Sequence, residues 1–149
     1  MRTTSATIET LAQAQAAIEQ LKSQPMHSRG EWDSPQVLHH IAQSIEYSMQ
    51  GFPQLKPSWF RHSVGPAAFA VFSARGRMSH GLHEPIPGAP ALQPGLPLLP
   101  AIERVLAALQ SFEAFNGPLQ PHFAYGALDK PAFTRAHVLH IADHWRDFA

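Results

Sequence analysis

The sequence predicts an all-α fold: a four-helix bundle with a long proline-rich crossover between the second and third main helices. Three observations predict it. Four segments carry apolar residues at spacings of three and four, no segment alternates apolar and polar residues as a half-buried strand does, and six of the sixteen residues from Pro85 to Pro100 are proline. At 149 residues with 44% apolar and 15% charged side chains, the chain has the size and composition of one domain, residues 1–149, with a real core.

From Thr7 to Ser23 the residues Ile8, Leu11, Ala14, Ile18 and Leu21 mark one helix face, with an opening in Thr7–Thr10 and a stop at Pro25. Ser34 as N-cap and Pro35 at the first helical position announce a second helix running to about Met49, ended by Gly51 and Pro53. Its inward stripe is Val37, His40 or Ile41, Ser44 or Ile45, and Ser48 or Met49. Pro53, Pro57 and Pro66 punctuate the middle of the chain, where 67–74 forms a short helix. Pro85 to Pro100 excludes a helix or a central strand. Ile102, Val105, Leu106, Leu109 and Phe112 define a third main helix that stops at Asn116-Gly117-Pro118. Asp129 caps a fourth, from Lys130 or Pro131 almost to Ala149.

Eleven basic residues balance eleven acidic ones, so no overall field draws in nucleic acid or an anionic membrane, and neither is expected as a partner. The absence of cysteine excludes disulfide scaffolds, zinc fingers, iron–sulfur clusters and cysteine nucleophiles, and leaves nitrogen and oxygen as the only metal donors. The first residues show no apolar core of a signal peptide, and the longest uncharged apolar run, Pro66 to Phe72, is far short of a membrane span. A soluble, cytoplasmic protein is the expectation.

Ten histidines against three lysines draw attention. In the last helix Phe133, His137, His140, His144 and Phe148 share one stripe, and its aromatic ends imply that it faces inward. His140 and His144, one turn apart, can reach a common ion at about 2.0–2.1 Å, and His40, on the inward side of the second helix, is the natural third ligand. The alternative is three packing histidines, each bonded to a carbonyl or carboxylate. A buried polar group left unpaired costs about 1–3 kcal/mol, so something must satisfy them, and a shared cation does so at once.

The segment Leu38-His39-His40-Ile41-Ala42-Gln43-Ser44 together with the His140/His144 pair resembles the DinB/YfiT-like superfamily of bacterial four-helix metalloproteins. More narrowly, the stretch from Trp32 to Gly51, Gly76-Arg77-Met78, Pro85-Ile86-Pro87-Gly88-Ala89-Pro90 and His122-Phe123-Ala124-Tyr125-Gly126 resemble a subfamily of uncharacterised function, over about residue 32 to Phe148. The resemblance implies a ligand triad of His40, His140 and His144 for a divalent ion such as zinc, nickel or iron. It departs from the pattern where Trp145 follows His144 and Asp147 replaces an expected glutamine, which bears on hydrogen bonding around the ligands.

Three histidines on a tetrahedral ion leave one position for water or substrate. Ile141 stands where a His-Glu-x-x-His metalloprotease needs glutamate, which rules out that class. Asp143 and Asp147 either orient ligand histidines or are solvated. Tyr47 shares the face of His40 and is a donor to substrate or a core tyrosine. His122 lines the site mouth or caps a turn, and His137 is a further ligand, a support for the ligands or a packing residue. No acidic residue falls between Glu46 and Glu84, while Lys56, Arg61, Arg75 and Arg77 do; Arg75 and Arg77 are candidates for an anionic substrate tail.

Two classes stay open. One is a metal-dependent enzyme acting on a small-molecule substrate. By resemblance to S-transferases and isomerases of the superfamily, it would activate a low-molecular-weight thiol; the nearest variant is a hydrolase activating water. The other is a non-catalytic metal- or small-ligand-binding bundle, homodimeric by expectation. A pocket opening onto the ion separates them in favour of catalysis.

Overall fold

The computed structural model describes residues 7–78 and 83–149. Among the described residues six helices run in the order α1 (Leu11–Gln20), α2 (Ser34–Gln50), α3 (Ser58–Arg61), α4 (Val64–Arg75), α5 (Leu98–Ala114) and α6 (Lys130–Trp145). No strand occurs among the described residues; two isolated bridges, Ser28 with Phe148 and His122 with Gly126, are the β-type pairings. The predicted all-α bundle is what forms. The four main helices are α1, α2, α5 and α6, and the crossover carries α3, α4 and the proline-rich loop. No helix among the described residues is long and apolar enough to cross a membrane.

The core is built where the apolar stripes meet. Ile18 of α1, Val37, Ile41 and Ile45 of α2, Ile102, Leu109 and Phe112 of α5, and Phe133 and Ile141 of α6 are all buried in one cluster. Helix α2 packs chiefly on α5, and α6 closes the bundle against α1, α2 and α4. Arg104 on α5 grips Glu46 on α2 through two nitrogens (3.1 and 2.6 Å) and meets His39 Nδ1 at 3.1 Å. At the other end of α5, Lys130 Nζ donates to the carbonyls of Phe112 and Phe115, tying the end of one helix to the start of the next.

Helix ends moved where local chemistry competed. The N-cap of α2 is Asp33, not Ser34: its carboxylate accepts from Gln36 N–H (2.9 Å) while Gln36 Oε1 accepts from Asp33 N–H (2.8 Å). Ser34 instead donates to the Met26 carbonyl and accepts from Ser28 N–H. Helix α1 is shorter than its apolar stripe, capped by Thr10 and ended at Leu21, so Ile8 and Leu21 pack from outside it. Helix α5 starts within the proline-rich run, at Leu98, because Pro100 lies in the first turn where an N–H has no helical partner to lose. The short middle helix extends to Val64–Arg75 and ends on Gly76 at φ 69°, the left-handed conformation glycine adopts without strain. Helix α6 stops at Trp145 rather than near Ala149. Residues 147–149 pair with 27–29 instead, through Arg29 N–H to Asp147 O (3.0 Å), His27 N–H to Ala149 O (2.7 Å) and Ala149 N–H to His27 O (2.9 Å). Phe148 thus leaves the helix yet stays buried beside Trp145.

Candidate metal centre and adjoining cavity

The caps set the register of the site. With Asp33 fixing the start of α2 and Asp129 accepting from Ala132 N–H (2.9 Å) at the start of α6, His40 and the pair His140/His144 meet across the α2–α6 contact. His40 and His144 are buried and His140 is half-buried. His140 Nε2 lies 3.1 Å from His40 Nε2 and 3.1 Å from His144 Nε2, and one ring nitrogen from each of the three lies within 4.8 Å of the others. A tetrahedron with metal–nitrogen bonds of about 2.0–2.1 Å has edges of about 3.3–3.4 Å, so the donor spacing fits a three-histidine centre. A ring nitrogen has a single in-plane lone pair or N–H, so His140 Nε2 cannot direct a straight hydrogen bond at both neighbours. One cation receives all three lone pairs together. These three histidines could hold a metal ion, and an all-imidazole set suits several first-row divalent ions alike.

A support for His40 comes from residues that sequence reasoning missed. The Trp32 ring packs on the His40 ring (centroids 5.1 Å) and on the His83 ring (5.3 Å). His83 Nδ1 accepts from Trp32 N–H at 3.0 Å, which places the proton on Nε2, where it donates to Asp147 Oδ2 at 3.2 Å. Ser28 Oγ donates to the same carboxylate oxygen at 3.3 Å. The His83 ring fits because residue 30 is glycine: a Cβ there would lie 1.8 Å from His83 Nε2. His83 carries no periodic signal in its loop, and nothing in the sequence pairs it with Trp32 or Asp147.

A cavity of about 240 Å³ opens onto His40 and His140. Lys56, Glu84 and Pro85 are its exposed edge, Met78, Ile86, Ala124 and Ala136 its buried apolar lining, and Phe123 and Tyr125 its half-buried aromatic wall. Tyr125 is stacked between Phe69 (5.2 Å) and His122 (4.2 Å). Burial, and secondarily the Asp143 carboxylate, push its phenol up to about 12, so it stays a proton donor at neutral pH.

The other sequence candidates divide. His122 lines the cavity, but its Nδ1 accepts from Ala124 N–H (3.1 Å) and Tyr125 N–H (3.0 Å), so it organises the turn before α6. His137 also lines the cavity; Ser48 Oγ donates to the Ile45 carbonyl (2.5 Å) and thus accepts from His137 Nε2 (3.2 Å). Burial pushes both imidazoles down to about 3, with His137 as a lesser influence on His122, so both are neutral. Asp143 is buried and accepts from Arg146 at 2.8 Å, and Asp147 holds His83 and Ser28. Tyr47 lies against Phe52 (5.7 Å) rather than along the cavity. Arg75 and Arg77 are exposed and lie outside the cavity lining; Lys56 is the basic residue at its mouth.

A family model described as a protein of unknown function, DUF1569, matches residues 1–149. No curated protein and no solved structure matches the chain.

Proposed function

This chain belongs to the DUF1569 family, whose function is unknown, and we propose that it is a DinB-like metal-dependent enzyme: a divalent ion held by His40, His140 and His144 serves chemistry on a small molecule in the adjoining cavity. The observation that carries the reading is that two of the three histidines, His40 and His140, line a cavity of about 240 Å³ open to solvent at Lys56 and Glu84. A sealed site would favour a purely structural ion. Nitrogen-only donors fit zinc, nickel or iron.

Such an ion, when bound, lowers the pKa of a water or thiol and polarises a carbonyl. The chain's own residues prepare the space for that chemistry. The apolar lining offers surface to an apolar part of the substrate, the Tyr125 phenol offers a proton donor at the wall, and Lys56 offers a cation to the part of the substrate that stays at the mouth. The chain has no cysteine, so a thiol would arrive as a low-molecular-weight cosubstrate. A second reading, a non-catalytic ligand-binding bundle, is favoured by one observation: His122 and His137, the other imidazoles on the cavity, are neutral and committed to hydrogen bonds, which leaves neither poised as a general base.

The test loads purified protein in turn with zinc, nickel and iron(II). Each form is assayed for conjugation of small thiols to an electrophile and for ester or amide hydrolysis. Turnover that disappears with His140→Ala and with chelator supports the enzyme. Stoichiometric metal binding with no turnover for any combination favours the binding protein. No metal binding defeats the enzyme and leaves only a bundle that binds a small ligand without an ion.

A further inference from the structure

Helix α4 carries no polar side chain before Ser73, yet it is not buried. Its inner side packs Phe69 on Tyr125 and brings Gly65 so close to the Ala124 carbonyl that a Cβ would lie 1.7 Å from the oxygen. Its outer side carries Val64, Ala67, Val71 and Arg75 at spacings of three, four and four, all exposed, with no polar side chain before Arg75. A helix hydrophobic all round belongs in a protein core or in lipid, and α4 has only Gly65 buried. Beside it, Trp59 on α3 is 66% exposed, and Val64 and Val71 are 49% and 51% exposed.

The charges of this part of the chain are one-sided. Eleven basic and eleven acidic residues cancel over the whole chain, but between Glu46 and Glu84 there is no acidic residue, while Lys56, Arg61, Arg75 and Arg77 are present. We propose that the outer face of α3 and α4 is a peripheral docking surface for an anionic lipid membrane, with Trp59, Val64 and Val71 entering the interface and the exposed Arg75 and Arg77 meeting the headgroups. This departs from the expectation of no membrane partner drawn from the net charge, which averages away a local excess. A second copy of the chain is the poorer occupant, because a two-fold contact on this face sets basic residues against basic residues. An exposed tryptophan among valines and alanines, with basic residues at the edges, is the chemistry of a headgroup boundary. The surface does not depend on the metal centre.

The test is cosedimentation of the full chain with vesicles of phosphatidylcholine alone and with vesicles in which about a third of the lipid is phosphatidylserine. The expected result is partitioning at least about tenfold stronger onto the anionic vesicles, weakened by salt. It is reduced to the phosphatidylcholine level by Val71→Asp, a change at an exposed position whose folding is checked by circular dichroism. A bilayer quencher should dim emission in the parent protein and not in Trp59→Phe, since Trp145 is buried and Trp32 packs against His40. Equal or absent partitioning onto the two vesicle types overturns the proposal, as does binding indifferent to Val71→Asp. A solution dimer that Val71→Asp dissociates assigns the face to a second copy and overturns it as well.

Discussion

His140 Nε2 stands 3.1 Å from His40 Nε2, although the two residues are 100 positions apart in the chain. With His144 Nε2 also 3.1 Å from His140 Nε2, three ring nitrogens are drawn to one point, where their lone pairs repel unless a proton or cation sits among them. Binding of a cation there ties α2 to α6 in the folded state only, so metal affinity and stability are linked.

One divalent ion should bind per chain, and His40→Ala should weaken binding as severely as His140→Ala, by at least about a hundredfold. At an ion concentration about a hundred times Kd, the melting free energy should rise by about 2.7 kcal/mol. Isothermal titration and thermal melts with and without chelator measure both. Equal affinity in His40→Ala and the parent protein would remove α2 from the site.

Stability should fall in mild acid. His122 and His137 titrate near 3 when folded, against about 6.5 when unfolded, so below about 6.5 the unfolded chain binds protons that the folded chain refuses. Their contribution is fully present above about pH 6.5 and is lost as the pH drops toward 3, by about 2 kcal/mol per histidine at pH 5. Urea titrations across this range check it. His122→Gln, which does not titrate, should roughly halve the slope whatever it costs at neutral pH.

Ser48→Ala should destabilise by about 1–3 kcal/mol, because it leaves the buried His137 N–H without its acceptor. Chemical denaturation reads this directly. A change below a few tenths of a kcal/mol would mean that His137 finds another acceptor.

Gly65→Ala should be among the costliest small substitutions, on the order of 3 kcal/mol, since its methyl would enter the Ala124 backbone carbonyl, which cannot swing aside as a side chain can. Gly95→Ala, at a loop glycine with φ 76° and nothing within 4 Å, isolates the cost of backbone strain alone. A thermal melt of each separates the two effects, and equal losses would show that crowding at position 65 is relieved.

His83→Ala should leave metal stoichiometry unchanged but loosen the loop that carries Glu84, Pro85 and Ile86, because the bonds to Trp32 N–H and Asp147 are what fix it beside the cavity. Faster exchange of the Glu84 and Ile86 amides with an unaltered ion count is the expected signature. Unchanged exchange would assign the hold on this loop to its prolines.

The sequence alone determined the four main helices and the crossover and set His40, His140 and His144 on inward faces, because a helix converts spacing into direction: residues three and four apart share a face. It could not determine what competes at helix ends, and there Asp33 displaced Ser34 as cap and the pairing of 27–29 with 147–149 cut α6 short. Nor did spacing reach Trp32 and His83 or their meeting with Asp147, which joins two irregular segments to the end of a helix. Tertiary packing alone decided which candidates share the cavity. It turned Tyr47 toward Phe52, left Arg75 and Arg77 in solvent, and brought Tyr125 to the cavity wall, because loop conformation and burial depend on contacts between parts of the chain that local periodicity does not encode.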